Sequence, residues 1–128
     1  MPTRKTVLAP DEYYHIYNRG SMKREIFRDQ KDYARFLFVL FYLQAPTVNV
    51  TNHGRGSSAL LQVANKNVKH PMSNKKALHV VSKRAVDLVC FALMPNHFHL
   101  LVREKEEGGI SRYMQRVLNG YTKYWNTK

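Results

Sequence analysis

Phe91-Ala92-Leu93-Met94-Pro95-Asn96-His97-Phe98-His99-Leu100-Leu101-Val102-Arg103 is the stretch on which the fold turns. It reads as strand, turn, strand. Val86 to Leu93 is apolar and β-prone apart from Asp87, Pro95-Asn96 is a turn signal, and His97 to Arg103 is a second β-prone run. Side chains along a strand alternate between faces. His97, His99 and Leu101 therefore share one face, and Phe98, Leu100 and Val102 share the other, the core face by composition. Two imidazoles are thus held roughly 7 Å apart on a stiff element, a separation at which both can ligate one ion.

A His-x-His pair alone is a weak signal, because imidazoles on the polar face of a half-buried strand are common. The Pro-Asn turn strengthens it by placing the pair at the start of a strand, near the edge or the end of a sheet. Metallo-β-lactamase-type hydrolases continue with Asp and His directly after the pair; Leu100 and Leu101 stand there instead, which excludes that chemistry. Asp87, on the neighbouring strand, is the nearby carboxylate that a different metal-dependent hydrolase would use.

The 128 residues suit a single domain, and 44% apolar content is enough for a core. Lys and Arg number 21 against 9 Asp and Glu, a net charge of +12, which directs attention to a polyanion such as nucleic acid. No apolar run reaches bilayer-spanning length, and no leader-like segment follows Met1-Pro2-Thr3-Arg4-Lys5. The single cysteine, Cys90, falls inside an apolar strand and reads as a small core residue in a reducing, cytoplasmic setting.

Met1 to Asp11 reads as an extended basic arm. Glu12 to Asn18 is a strand candidate, with Tyr13, His15 and Tyr17 on one face and Tyr14, Ile16 and Asn18 on the other. Asn18-Arg19-Gly20-Ser21 is a turn. Arg19, Lys23 and Arg24 then lie on a loop whose cations and backbone amides would suit a phosphate chain.

Asp29 to Gln44 reads as a helix with Asp29 as N-cap and Asp32 in the first turn. Phe36 to Leu43 is apolar on every side, which predicts burial on more than one side, against the sheet and also against further sequence or a second subunit. From about 45 to 85 the composition turns polar and basic, as in an insertion. It holds His53, His70 and His79 at no compact metal spacing, and two short apolar patches, Leu60-Leu61 and Leu78-Val80-Val81, readable as small strands or a helical turn.

Ile110 to Trp125 is the clearest helix. Ile110, Tyr113, Met114, Val117, Leu118, Tyr121 and Trp125 form its apolar stripe, with Ser111 as a candidate cap. Arg112, Gln115, Arg116, Asn119 and Lys123 lie opposite.

Three blocks carry a family resemblance: Tyr14-His15-Ile16-Tyr17-Asn18-Arg19-Gly20; Leu93-Met94-Pro95-Asn96-His97-Phe98-His99-Leu100-Leu101; and Ile110 to Arg116 through Tyr121-Thr122-Lys123-Tyr124-Trp125-Asn126. In this order they resemble the single-tyrosine HUH transposases, most of all the REP-associated tyrosine transposases and their insertion-sequence relatives. The resemblance covers the chain outside the insertion.

It implies an α+β, ferredoxin-like domain with a central antiparallel sheet and helices on one face. It also implies single-stranded DNA transposition on hairpin-containing DNA, a homodimer, and a divalent ion, magnesium or manganese, on His97 and His99. Asn18, Arg19, Lys23, Arg24, Arg112, Arg116 and Lys123 are the expected DNA contacts. In that family a tyrosine on a further helix attacks the phosphate, which places the nucleophile beyond Lys128 and reads the chain as the front portion of a longer transposase. Within these residues Tyr124 is the remaining candidate, Tyr113 and Tyr121 belonging to the apolar stripe. The competing reading is a single-stranded nucleic-acid-binding module without chemistry.

Overall fold

The computed structural model describes residues 8–46 and 75–127. Its elements in chain order are β1 (Tyr13–Arg19), a short 3-10 turn (Ser21–Lys23), α1 (Gln30–Tyr42), α2 (Lys75–Ser82), β2 (Val86–Met94), β3 (His97–Glu104) and α3 (Gly109–Asn126). The expected readings at Thr47–Ser58, Leu60-Leu61, His53 and His70 lie outside the described residues. The Leu78-Val80-Val81 patch belongs to α2, and Val80 is fully buried, so the end of the expected insertion packs into the core.

The three strands form one antiparallel sheet in the order β1-β3-β2. Strand β3 is central, and β1 and β2 both run antiparallel to it. The alternation expected for β3 holds along its whole length: Phe98, Leu100, Val102 and Glu104 are buried, while His97, His99, Leu101 and Arg103 are half-buried. Tyr14 and Ile16 of β1 face the covered side, and Tyr13, His15 and Tyr17 the open one. All the helices that touch the sheet lie on the covered side, where Ile110, Tyr113, Met114, Val117 and Tyr121 of α3 meet Phe98, Leu100 and Val102. Leu118 lies at the edge of the α3 stripe and is exposed.

Strand β2 breaks the simple alternation. Leu88 pairs with Val102, but Cys90 pairs with Leu101, so one extra residue, Val89, is bulged out between them. Because the side-chain period is two, that residue turns everything after it to the opposite face. Cys90, expected in the core, is therefore exposed on the open face, and Phe91 pairs with Leu100 yet stays 48% exposed, outside the core.

Helix α1 starts where the sequence places it: Asp29 accepts from the Asp32 amide at 3.0 Å. Much of its all-round apolar surface is covered within this chain, with Leu37 and Phe41 only partly buried. Phe36, Phe38, Val39, Leu40, Tyr42 and Leu43 are all buried within this chain, between the sheet, α2 and α3. Helix α3 begins differently from expectation. Its first cap residue is Gly108, at φ 74°, and Ser111 makes no cap. The buried carboxylate of Glu104, six residues upstream at the end of β3, accepts from the Ile110 amide at 2.9 Å. A negative charge there satisfies an orphan donor and complements the helix dipole.

Candidate functional site

The turn Pro95-Asn96 is the hub of the site. Its two carbonyls collect the amides of the segment that follows β1: Gly20 donates to Asn96 at 2.8 Å, and Ile26 and Phe27 donate to Pro95 at 2.7 and 3.0 Å. Gly20 is required by close approach, since a Cβ there would collide with the Arg24 carbonyl oxygen. The basic loop is thereby tied beside the start of β3. Of its backbone amides, those of Lys23 and Arg24 are engaged, donating to Gly20 and Ser21. The cations of Arg19, Lys23 and Arg24 stay exposed. Met22 and Lys23 hold left-handed φ values of 56° and 62°, the strained backbone conformation in which functional loops are enriched.

The register of β1 against β3 then builds the patch. Arg19 pairs with His97, Tyr17 with His99 and His15 with Leu101. A concavity of about 290 Å³ is lined by Tyr17, Asn18, Arg19, His97, Phe98 and His99. The Asn18 side chain turns back on the backbone, accepting from the Arg19 amide at 2.9 Å. The rings of His97 and His99 have centres 5.3 Å apart at 89°, and His99 lies edge to edge with His15, centres 5.1 Å apart and planes within 11°. Tyr17 closes the group, its ring centre 6.2 Å from that of His99. Tyr13 and Tyr17 are 57% and 69% exposed; Tyr17 lies opposite His99, while Tyr13 lies further along the open face, opposite Arg103.

Among the described residues no cluster of three or more His, Cys, Asp or Glu side chains has a metal-holding arrangement. The imidazole pair, tested alone, has the right spacing. With metal–nitrogen bonds of ~2.0–2.1 Å, a ring centre lies roughly 3.2 Å from its ion, so two rings sharing an ion have centres roughly 4.5–5.2 Å apart. The observed 5.3 Å lies just beyond that span, so a small closing of the rings would be needed for both to share an ion. A site with two imidazole ligands leaves its other positions to water and phosphate oxygens, the donors that magnesium and manganese favour.

The other expected site residues lie elsewhere. Helix α3 is behind the sheet, so Arg112, Arg116 and Lys123 are not brought together with the histidines. Arg116 donates to the carbonyls of Leu43 and Ala45 at 3.5 and 3.2 Å, binding the end of α1. Burial lowers its pKa. Arg112 reaches Glu106 at 3.9 Å. Tyr124, the remaining nucleophile candidate, donates to Asp32 on the covered side. Asp87 is held by Arg84 at 3.1 Å and Arg103 at 3.8 Å. It pairs with Arg103, six residues along β3 from His97, or roughly 20 Å. That removes it as a partner acid for the histidines.

Sequence reading missed His15 as a member of the site. Its alternation with Tyr17 was visible, but its contact with His99 depends on which strand β1 pairs with, and in what register. No protein-family model matches the chain, and neither the curated proteins nor the solved structures contain a significant match. None of the described helices is long and apolar enough to cross a membrane.

Proposed function

We propose that this chain binds single-stranded DNA across its open sheet face and holds a divalent ion on His97 and His99, as the metal-binding part of an HUH-type strand-transfer enzyme. The observation that carries this is the β1–β3 register. It sets a cation, Arg19, against one histidine and an exposed ring, Tyr17, against the other, so charge, stacking surface and ligands share one patch. A bound divalent ion would polarise the scissile phosphate and stabilise the leaving oxygen. The chain's own residues would do the rest: Arg19, Lys23 and Arg24 hold the backbone of the strand, and Tyr17 and Tyr13 stack bases. A ferredoxin-like fold is supported by the succession β1, α1, β2, β3, α3 with β3 between β1 and β2, as in a split βαβ unit, α2 being an additional helix between α1 and β2.

The test is binding of a hairpin-containing single strand, followed by fluorescence anisotropy in manganese and in EDTA. Manganese should tighten binding by the native chain and leave the double variant His97→Ala/His99→Ala unchanged. Circular dichroism should show both folded, since neither ring is in the core. Equal affinity in EDTA and manganese would overturn the ion site. It would favour instead the plain single-strand binding module, for which the exposed Tyr13 and Tyr17 are the specific support.

A further inference from the structure

Each histidine of the pair has its Nδ1 engaged by a different neighbour. For His97 the partner is Asn96, whose Oδ1 lies 2.7 Å from Nδ1. The Asn96 amide orientation is set by its other end, where Nδ2 donates to the Lys23 carbonyl at 3.5 Å. An amide oxygen only accepts, so His97 carries its proton on Nδ1 and presents a bare Nε2. For His99 the partner is His15, with Nε2 lying 2.8 Å from the His99 Nδ1 and the two rings nearly parallel. Here geometry alone permits either ring to donate. If His15 donates, the neutral His99 holds its proton on Nε2 and cannot ligate through that atom. If His99 donates, its Nε2 is bare, as in His97.

We infer that His15 is a positioning residue for His99: its Nε2 accepts a hydrogen bond from the His99 Nδ1–H and so leaves Nε2 of His99 as the ion-facing atom, as Asn96 does for His97. This rests on the reading of His97 and His99 as the ligand pair. The chemistry is that of metal-bound histidines generally, whose second nitrogen is tied to an outer acceptor that fixes tautomer and ring angle. The acceptor in this chain is a third imidazole, contributed by the neighbouring strand. The in-plane bond to His15, with Tyr17 on the same face, also limits rotation of the His99 ring. The basic loop enters the same arrangement through Lys23, whose carbonyl orients Asn96.

Two measurements on the full chain test this. Long-range proton–nitrogen correlation in alkaline buffer, without metal, reads the tautomers directly. His97 and His99 should both be protonated on Nδ1. A His99 protonated on Nε2 overturns the role given to His15. Manganese affinity is then compared for native protein, His15→Ala and His15→Gln. Loss of an outer partner costs a metal site about 10–100-fold in affinity, so His15→Ala should bind at least ~10-fold more weakly. His15→Gln, which keeps an acceptor oxygen, should recover most of that. Unchanged affinity in His15→Ala, or a loss that Gln does not recover, overturns the proposal. Native protein that takes up no manganese overturns the ligand-pair reading itself, and the role of His15 with it.

Discussion

The phenol of Tyr124 donates to the Asp32 carboxylate across the α1–α3 contact, at 2.7 Å. Asp32 is fully buried and also accepts from the Arg28 amide at 2.8 Å. Tyr124 therefore joins the two helices behind the sheet. Burial, and then the bond to Asp32, push its pKa up. Both its position and its proton argue against nucleophilic use. Attack on phosphorus needs the oxygen within about 3–3.5 Å and in line with the leaving group. Tyr113 and Tyr121 are committed in the same way, to the carbonyls of Leu40 and Ile26.

The expected outcome is that Tyr124→Phe lowers stability by about 1–2 kcal/mol, as loss of a hydrogen bond to a buried charge does. No covalent adduct through Tyr113, Tyr121 or Tyr124 should form when the chain is incubated with a hairpin-containing single strand and manganese. A denaturing gel reads this directly. An adduct abolished by Tyr124→Phe would contradict the geometry. An adduct abolished by Tyr17→Phe would place the attacking group on the histidine face.

The same three phenols predict an alkaline limit to stability. Burial is the first cause of the upward pKa shift in each. A tyrosine whose pKa is higher folded than unfolded keeps its full contribution below the unfolded value of about 10. Above that pH the unfolded chain loses protons that the folded chain retains, so stability falls. Tyr113, deeply buried, should alone give a slope of about 1.4 kcal/mol per pH unit. Urea unfolding from pH 8 to 11 should show a flat region and then a decline, with a shallower decline in Tyr113→Phe. A profile that rises above pH 10 would show that these phenols are not buried as described.

The strands were legible in the sequence wherever one face is apolar and the other polar without interruption. Strand β3 comes near that condition, with Phe98, Leu100 and Val102 on one face and His97, His99 and Arg103 on the other, Leu101 being the one apolar residue among them. Strand β2 does not. The bulge at Val89 leaves no mark in a run that is apolar throughout, and alternation puts Cys90 on the wrong face for that reason. Pairing information was also out of reach: the His15–His99 contact joins residues 84 positions apart. The excess of apolar surface on α1 has a local explanation, because α2 lies in a stretch that composition alone assigns to an insertion.

Glu104 shows the same limit and yields a prediction. A glutamate ending a strand looks solvated, yet this one is fully buried, with Oε1 capping α3 through Ile110. Its Oε2 has no hydrogen-bond partner among the described residues. Glu104→Ala should cost about 2 kcal/mol, through loss of a charged cap and an unpaired Ile110 amide. Glu104→Gln keeps the accepting oxygen and removes a charge that is only half satisfied, so it should stay within about 1 kcal/mol of native. Urea midpoints at constant m-value distinguish the two. Equal losses in both variants would mean that the charge, and not the cap, is what matters.

Separating structural from DNA-contacting arginines is the sharpest check on the proposed binding face. Arg116 and the loop cations were all expected to touch DNA, but the structure gives them different surroundings. Arg116 binds the carbonyls of Leu43 and Ala45 behind the sheet, whereas Arg19, Lys23 and Arg24 are exposed beside the histidines. Arg116→Ala should therefore lower stability by about 1–2 kcal/mol while leaving single-strand affinity nearly unchanged. Joint replacement of Arg19, Lys23 and Arg24 by Ala should do the reverse. Each phosphate contact on a single strand contributes about 0.7 to the slope of log affinity against log salt, so losing all three should flatten that slope by about 2. Measured between low and high salt, an unaltered slope in the triple variant would move the DNA off the open sheet face. A flattened slope in Arg116→Ala would move it onto the helices.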